Sequence, residues 1–493
     1  MQLVPMFLVV PMAAAILIIL AARKVPRLAD ALANLATLAL LVMAVSLMGK
    51  DGVYWVKGLA PRGGTPIGVN LVLDKSSILM LATVGLIAFM VTLYSIQYIG
   101  RRASKAHFYS LFLVMIAGVN GVALTGDLLS LYVFIEMASL ASYALVAFGD
   151  RQAELEASFR YLIVGSVGSL FVLVALAITY SLAGSLNMAQ VAMTFGTSLK
   201  PIHLVAAGLF VAGFGLKSAF FPFHMWLVDA SRAASAPVAA ALSGVVIEVV
   251  GIFAMARVLF NAIGMTGSLH TLLMILGTIS ILVGALMALR EDDIKRALAY
   301  NSVSEVGFIV LALGIGTRPA IAAALVYIVT HAIYKTLLFL NAGAMEYATG
   351  SRDLTKLGGL KHRMPVTGAT SVIGALSVSA IPPFGGFWAR FFIIVAAVQA
   401  ERYGYAAWAV AGSILTLASF ARFQKRVCHD PVGETCAAAK EVPVLMQVSM
   451  IGLAVLCIAA GLLWLPQVQD GFFMPAAKII QEGITYGSGI LGM

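Results

Sequence analysis

The stretch LVYIVTHAIYKTLLFLNAG, residues 325–343, is apolar at both ends yet carries His331 and Lys335 near its centre. Spaced four apart, the two project from one face of a helix about one turn apart. The run is long enough to cross a hydrocarbon core of ~30 Å, where a mid-depth lysine costs at least roughly 2.5–3.5 kcal/mol. A hydrophobe would insert more readily, so an ionisable pair there points to a function that needs charge.

The rest of the chain has the same character. Of its 493 residues 61% are hydrophobic and 11% charged, against roughly 25% charged in a soluble domain. Apolar runs of about 18 or more residues recur from end to end, which predicts an all-α polytopic membrane protein. The opening run MFLVVPMAAAILIILAA lacks a basic leader and a small-residue cleavage site, so it reads as a retained first span. A net charge of +10 would suggest nucleic acid for a soluble protein; here it fits basic loops on one membrane face. Cys428, Cys436 and Cys457 have no zinc-ligand spacing.

Hydropathy predicts fourteen helices, near 3–22, 31–49, 74–99, 107–125, 128–148, 157–184, 202–228, 236–261, 270–290, 295–315, 319–346, 365–400, 404–424 and 445–465, then an amphipathic stretch at 471–485. Most of the 32 basic residues fall in connections after odd-numbered helices, Arg101, Arg102, Lys105, Lys361 and Arg363 among them. The positive-inside rule puts those connections in the cytoplasm and both termini outside.

Two helices should break. GLKSAFFPFHMWL puts Pro222 in the seventh, and SAIPPFGGFWARFF puts Pro382, Pro383, Gly385 and Gly386 in the twelfth. Proline removes a helical hydrogen bond and clashes with the preceding turn. At membrane depth a broken helix is tolerated where protein or water satisfies the freed backbone. Two such interruptions five helices apart predict an internal repeat.

The other intramembrane ionisable residues are few. They are Glu136, Lys217, His224, Glu248, Glu305 and Arg390, so acidic and basic groups alternate along the chain. As a rule, burial in low dielectric weakens a lysine's hold on its proton and a nearby carboxylate restores it. Glu–Lys pairs beside further lysines therefore form an electrostatically driven proton relay, with His331 placed to pass protons to and from Lys335.

Several long motifs carry a resemblance. They are DLLSLYVFIEMASLASYAL, GLKSAFFPFHMWLVDASRAASAPVAAALSG, YSLAGSLNMAQVA, DDIKRALAYNSVSEVGFI, THAIYKTLLFLNAG and LGGLKHRMP with IPPFGGFW. From about residue 70 to 425 they resemble the antiporter-like subunits of complex I, of Mrp cation/proton antiporters and of membrane-bound group 4 hydrogenases. Length and the segment HRMPVTGATSVIGALS look most like Mrp D-type subunits and their hydrogenase counterparts.

The resemblance implies fourteen helices with two inverted five-helix repeats, helices 4–8 and 9–13, each with one broken helix. The corresponding divisions are 1–106, 107–262, 263–425 and 426–493. Glu136 would be the glutamate that modulates Lys217, and His331 and Lys335 the eleventh-helix relay. Arg390 would take the twelfth-helix position where a lysine or glutamate is usual. Glu248 stands where many relatives have lysine or histidine, and Glu305 where glutamine is common; the changes at Glu248 and Arg390 bear on the usual route out of each half, and the extra carboxylates at Glu248 and Glu305 on a rewired path or a place for Na⁺.

The implied function is proton movement, alone or against Na⁺, in a multisubunit complex of the inner (plasma) membrane. Its partners would be other membrane subunits, homologous ones included, and the lipid bilayer. The chain has no cysteine cluster, glycine-rich nucleotide fingerprint or haem-attachment motif. Iron–sulfur or nickel–iron centres of a driving redox arm would therefore belong to partners. The competing readings are a Mrp-type Na⁺/H⁺ antiporter component without a redox partner, an independent solute carrier, and a transport-inactive scaffold.

Overall fold

Short polar residues fix where several helices begin. Asp74 accepts from the Ser77 N–H at 2.8 Å, Asp127 from the Ser130 N–H at 2.8 Å, and Asp293 from the N–H groups of Lys295 and Arg296 at 3.0 and 3.2 Å. Each aspartate satisfies donors that a first turn leaves free. Gly184, Gly316 and Gly350, with φ of 67°, 71° and 71°, close three helices in the left-handed conformation.

The computed structural model describes residues 2–21, 26–56, 69–101, 104–149, 151–195 and 201–483. The helices are α1 (Met6–Ala21), α2 (Pro26–Ser46), α3 (Lys75–Tyr98), α4 (Lys105–Leu124), α5 (Leu128–Val146), α6 (Gln152–Ala183), α7 (Met188–Phe195), α8 (Pro201–Ser218), α9 (Met225–Ala233) and α10 (Ala236–Ile263). After them come α11 (Gly267–Arg290), α12 (Ile294–Ile315), α13 (Arg318–Thr349), α14 (Pro365–Val378), α15 (Gly385–Gln399), α16 (Tyr403–Gln424), α17 (Val444–Ala459) and α18 (Met474–Gln481). Among the described residues, twelve helical segments are long and apolar enough to cross a membrane; α1, α14 and α15 are shorter. The chain is a multi-pass membrane protein.

Helix α10 and helix α13 are buried along their apolar length and α12 nearly so, whereas α2, α6 and α16 turn most of their apolar surface outward. Leu35, Phe159, Leu170 and Ile414 are among those outward residues. The three inner helices thus have little lipid face, and it is they that carry Glu248, Glu305, His331 and Lys335.

Both expected breaks are present, between α8 and α9 and between α14 and α15. The two share a sequence frame, Ser218-Ala219 and Ser379-Ala380 preceding the prolines, and each alanine has positive φ, 57° and 53°. The peptide bonds Phe221–Pro222 and Pro382–Pro383 are cis. Side chains from beyond each break satisfy freed carbonyls. Trp226 Nε1 donates to Leu216 O at 2.7 Å, and Arg390 Nη2 to Val378 O at 2.8 Å. Protein atoms thereby take up backbone polarity that lipid could not.

Three features depart from the sequence expectation. Helix α2 starts at Pro26 rather than near 31, because proline at the first helical position lacks only an N–H that would be free anyway. A short antiparallel hairpin, β1 (Gly52–Trp55) with β2 (Asn70–Leu73), joins α2 to α3 in what was expected to be purely helical. The middle of α10, Leu242–Phe253, is wound as a π-helix, a rare form that concentrates at functional sites. Arg23, Lys24 and Arg102 of the basic connections lie outside the described residues.

Candidate functional site

The first group lies where α5, α6 and α8 meet. Lys217, 4% exposed in the last turn of α8, points its Nζ at Ser139 Oγ (3.0 Å), Glu136 Oε1 (3.4 Å) and Tyr143 OH (3.4 Å), all from α5. Residues 136, 139 and 143 share one helix face because they recur every three or four positions. Ser169 of α6 also donates to Glu136 Oε1. The pair is charge-neutral, and Glu136 is its more open member, with 27% of its side chain exposed against 3% for Lys217.

Helix α10 links this group to the second. A Cβ at Gly251 would come within 2.7 Å of the Ser218 backbone, beside Lys217. A Cβ at Gly244 would meet Thr336 Oγ1 at 2.5 Å and Ala332 O at 3.1 Å. The two glycines therefore let the π-wound segment lie against α8 on one side and α13 on the other. Glu248 sits between them.

Glu248 and His331 are both fully buried, with Oε1 2.7 Å from Nδ1. The contact is close but not aligned as a hydrogen bond, and Glu248 Oε2 and His331 Nε2 have no hydrogen-bond partner among the described residues. Lys335, one turn along α13, donates to Leu298 O at 3.1 Å and to Asn301 Oδ1. Both acceptors are neutral. Asn301 Nδ2 in turn donates to Glu305 Oε1 at 3.2 Å. An ammonium can only donate and a carboxylate only accept, so its two neighbours fix which way the Asn301 amide faces.

Glu305 is saturated. It accepts from Arg390 Nη2, from Tyr327 OH, from Tyr334 OH at 2.9 Å and from Asn301. Arg390 also donates from Nε to Tyr327 OH at 2.7 Å, and its guanidinium lies 4.9 Å from the centre of the Phe308 ring. The three departures from the family pattern thus resolve into two contacts, Glu248 with His331 and Glu305 with Arg390. With His331 neutral, two carboxylates, one ammonium and one guanidinium cancel. Any further proton leaves this group with net positive charge in the bundle core.

His224 stands apart. Its ring packs between Phe221 and Tyr300, at centroid distances of 5.7 and 6.2 Å, and no described contact joins it to either group. Several polar members of the site were not foreseen: Ser139, Tyr143, Ser169, Asn301, Tyr327 and Tyr334. Position alone would have flagged Asn301, four residues before Glu305, and Ser139, three after Glu136. Two more ion pairs lie nearer the bundle ends, the buried Arg257–Asp74 at 3.0 Å and the partly buried Lys295–Glu346 at 2.7 Å. Lys295 opens the helix expected at 295–315, and it is 1% exposed, with its Nζ donating to Ala234 O at 3.1 Å.

Comparison with known proteins agrees with this architecture. Residues 125–416 match the family described as NADH:quinone oxidoreductase/Mrp antiporter, TM, and residues 60–109 the family described as NADH-Ubiquinone oxidoreductase (complex I), chain 5 N-terminus. Over 401 residues the chain is 36% identical to NADH-quinone oxidoreductase subunit N of Desulforudis audaxviator, covering 80% of this chain and 79% of that one. Over 358 residues it is 37% identical to the D-type subunit of the Na(+)/H(+) antiporter of Alkalihalophilus pseudofirmus, covering 72% of each. It superposes on a chain of the membrane-bound sulfane sulfur reductase, an archaeal respiratory membrane complex, with a TM-score of 0.90 at 27% identity over 99% of this chain and all of that one. Matched through more than half its length, the chain belongs to the NADH:quinone oxidoreductase/Mrp antiporter transmembrane family.

Proposed function

We propose that this chain moves protons across the membrane as one subunit of a larger complex, with the driving reaction housed in partner subunits. The observation that carries this reading is the series of buried ionisable groups through the bundle, from Glu136 and Lys217 past Glu248 and His331 to Lys335. Each of the latter three has an atom able to hold a proton that faces neutral or unaligned neighbours, so a proton can be gained or lost without tearing a saturated network. Glu305 and Arg390 serve differently in this account. An arginine is effectively always charged, and Glu305 already accepts from four donors. They are a fixed couple that sets the potential at Lys335 through Asn301 and plugs the break before α15. His224, outside both groups, takes no step in this account.

In this reading segments 107–262 and 263–425 are inverted repeats, each with one break and half of the path. The basic connections face the cytoplasm across a cell inner membrane, with both termini outside. The driver is a redox arm, with iron–sulfur or nickel–iron centres in partner subunits. Likeness to the D-type subunit of a Na(+)/H(+) antiporter favours a second reading, exchange of protons for Na⁺ with no redox arm. The test is elemental analysis of the intact complex, purified through a tag on this chain in mild detergent. Stoichiometric iron, with or without nickel, is the expected result. A metal-free complex with membrane partners alone would shift the assignment to cation exchange.

Glu136 gives a local test. Glu136→Gln keeps the shape and the Ser169 contact but removes the charge beside Lys217. It is expected to slow transport markedly, and Glu136→Asp less so, measured as dye quenching in inverted vesicles at matched complex abundance. Equal loss in both would assign Glu136 to packing.

A further inference from the structure

Helix α12 presents one polar edge to α13. Lys295, Leu298, Asn301 and Glu305 recur every three or four residues and so share a face. Over ten residues that edge climbs about 15 Å, half of a ~30 Å hydrocarbon core. Its inner end is the Glu305–Arg390 couple, and Lys335 is bonded to its middle through Leu298 O and Asn301. The end toward the basic connections is Lys295, whose Nζ lies 2.7 Å from Glu346 Oε2 and 3.1 Å from Ala234 O. The pair repeats the pattern of Lys217 with Glu136: a buried lysine, 2% exposed in its side chain, against a carboxylate that reaches further out, at 12%.

We propose that Lys295 and Glu346 form a further proton-carrying pair, through which Lys335 exchanges protons with the membrane face that bears the basic connections. The inference rests on the transport reading above. In the outward sense of the step, the Lys295 ammonium gives a proton to the Glu346 carboxylate, leaving a neutral amine and a carboxylic acid. The acid releases its proton to water at the surface. The amine then takes a proton from the Lys335 ammonium, whose acceptor Leu298 O lies about one turn along α12 from Lys295, and Lys335 becomes a neutral amine. Uptake runs the same transfers backwards.

The ordinary alternative is a latch. Ala234 caps the end of α9, and this corner is already tied by Arg232 Nε to Asp293 (3.3 Å) and by Arg352 to Arg232 O (2.6 Å). A latch needs a cation with hydrogen-bond donors; a carrier needs a cation that can give up its proton. Arginine supplies the first and not the second.

Lys295→Arg and Glu346→Gln in the whole complex therefore separate the two, read as initial rates of dye quenching in vesicles with complex abundance measured on native gels. Each variant is expected to slow transport by on the order of tenfold or more at wild-type abundance. Lys295→Arg at the wild-type rate would overturn the proposal and leave a latch. Should the larger arginine lower abundance, Glu346→Gln decides, since it keeps size and accepts from Lys295 but cannot carry a proton away as an acid: a wild-type rate there also overturns it. Lys335→Met is run beside them. If that variant is inactive while both others transport normally, this inference alone falls. If Lys335→Met transports normally, the transport reading falls and this inference with it.

Discussion

Arg390→Ala is expected to cost the folded protein roughly 3–5 kcal/mol, because it strands a buried carboxylate. Glu305 is fully buried, and Arg390 is the cation bonded to it; Tyr327, Tyr334 and Asn301 supply neutral donors that cannot balance its charge. The same substitution frees the Val378 carbonyl at the break before α15. The result should be a complex of much lower abundance and earlier thermal unfolding. Removing both charges is another matter. Replacing a buried ion pair by neutral groups of similar volume is often neutral or stabilising, so Arg390→Met with Glu305→Gln should recover most of the loss. Native-gel abundance and a melting curve of the purified complex check both. A double variant as poor as the single would show that the guanidinium matters for the backbone at the break more than for Glu305.

Lys335→Met should have the opposite profile, intact assembly with transport abolished or nearly so. Lys335 bonds to two neutral acceptors, so removing its charge strands no anion in direct contact. Leu298 O keeps the Ser302 hydroxyl at 3.1 Å as a partner, and methionine approximates the lost volume. With Lys335 gone, a proton taken up by Glu248 restores the balance of charge in the group, so the lysine should contribute little to stability. What disappears is the proton-bearing atom between His331 and the α12 edge. Wild-type abundance with no proton movement is the predicted outcome; a fall in abundance matching the fall in transport would make Lys335 a structural residue.

Some of this was legible in the sequence for plain physical reasons. A charge in an apolar run is conspicuous, so Lys217, Glu248, His331 and Lys335 announce themselves, and Pro222 with Pro382 and Pro383 forbids a continuous helix. The pairings were not legible. Whether Arg390 faces Glu305 depends on the rotation of α12 and α15, 85 positions apart in sequence, and hydropathy carries no rotation. Asn301 is uncharged, so hydropathy passes over it, although it joins Lys335 to Glu305. Lys295 and Arg257 lie near helix ends, where a shift of one turn decides between membrane surface and core. The π-wound segment at Glu248 is invisible because its residues suit an α-helix equally well. Seen as pairs, Glu248 with His331 and Glu305 with Arg390 no longer look like losses of function. They look like exchanges of charge between neighbouring helices.

The most direct test of the central claim is proton movement by the purified complex in sealed liposomes, followed with a trapped pH-sensitive dye. The driving force, electron donor and acceptor or a Na⁺ gradient, follows from the elemental analysis. The account predicts a pH change for the wild type, and none above leak for Lys335→Met reconstituted at equal abundance. Equal pH changes in the two would mean that protons cross elsewhere in the complex, and that this chain is a scaffold with a buried charge relay it does not use.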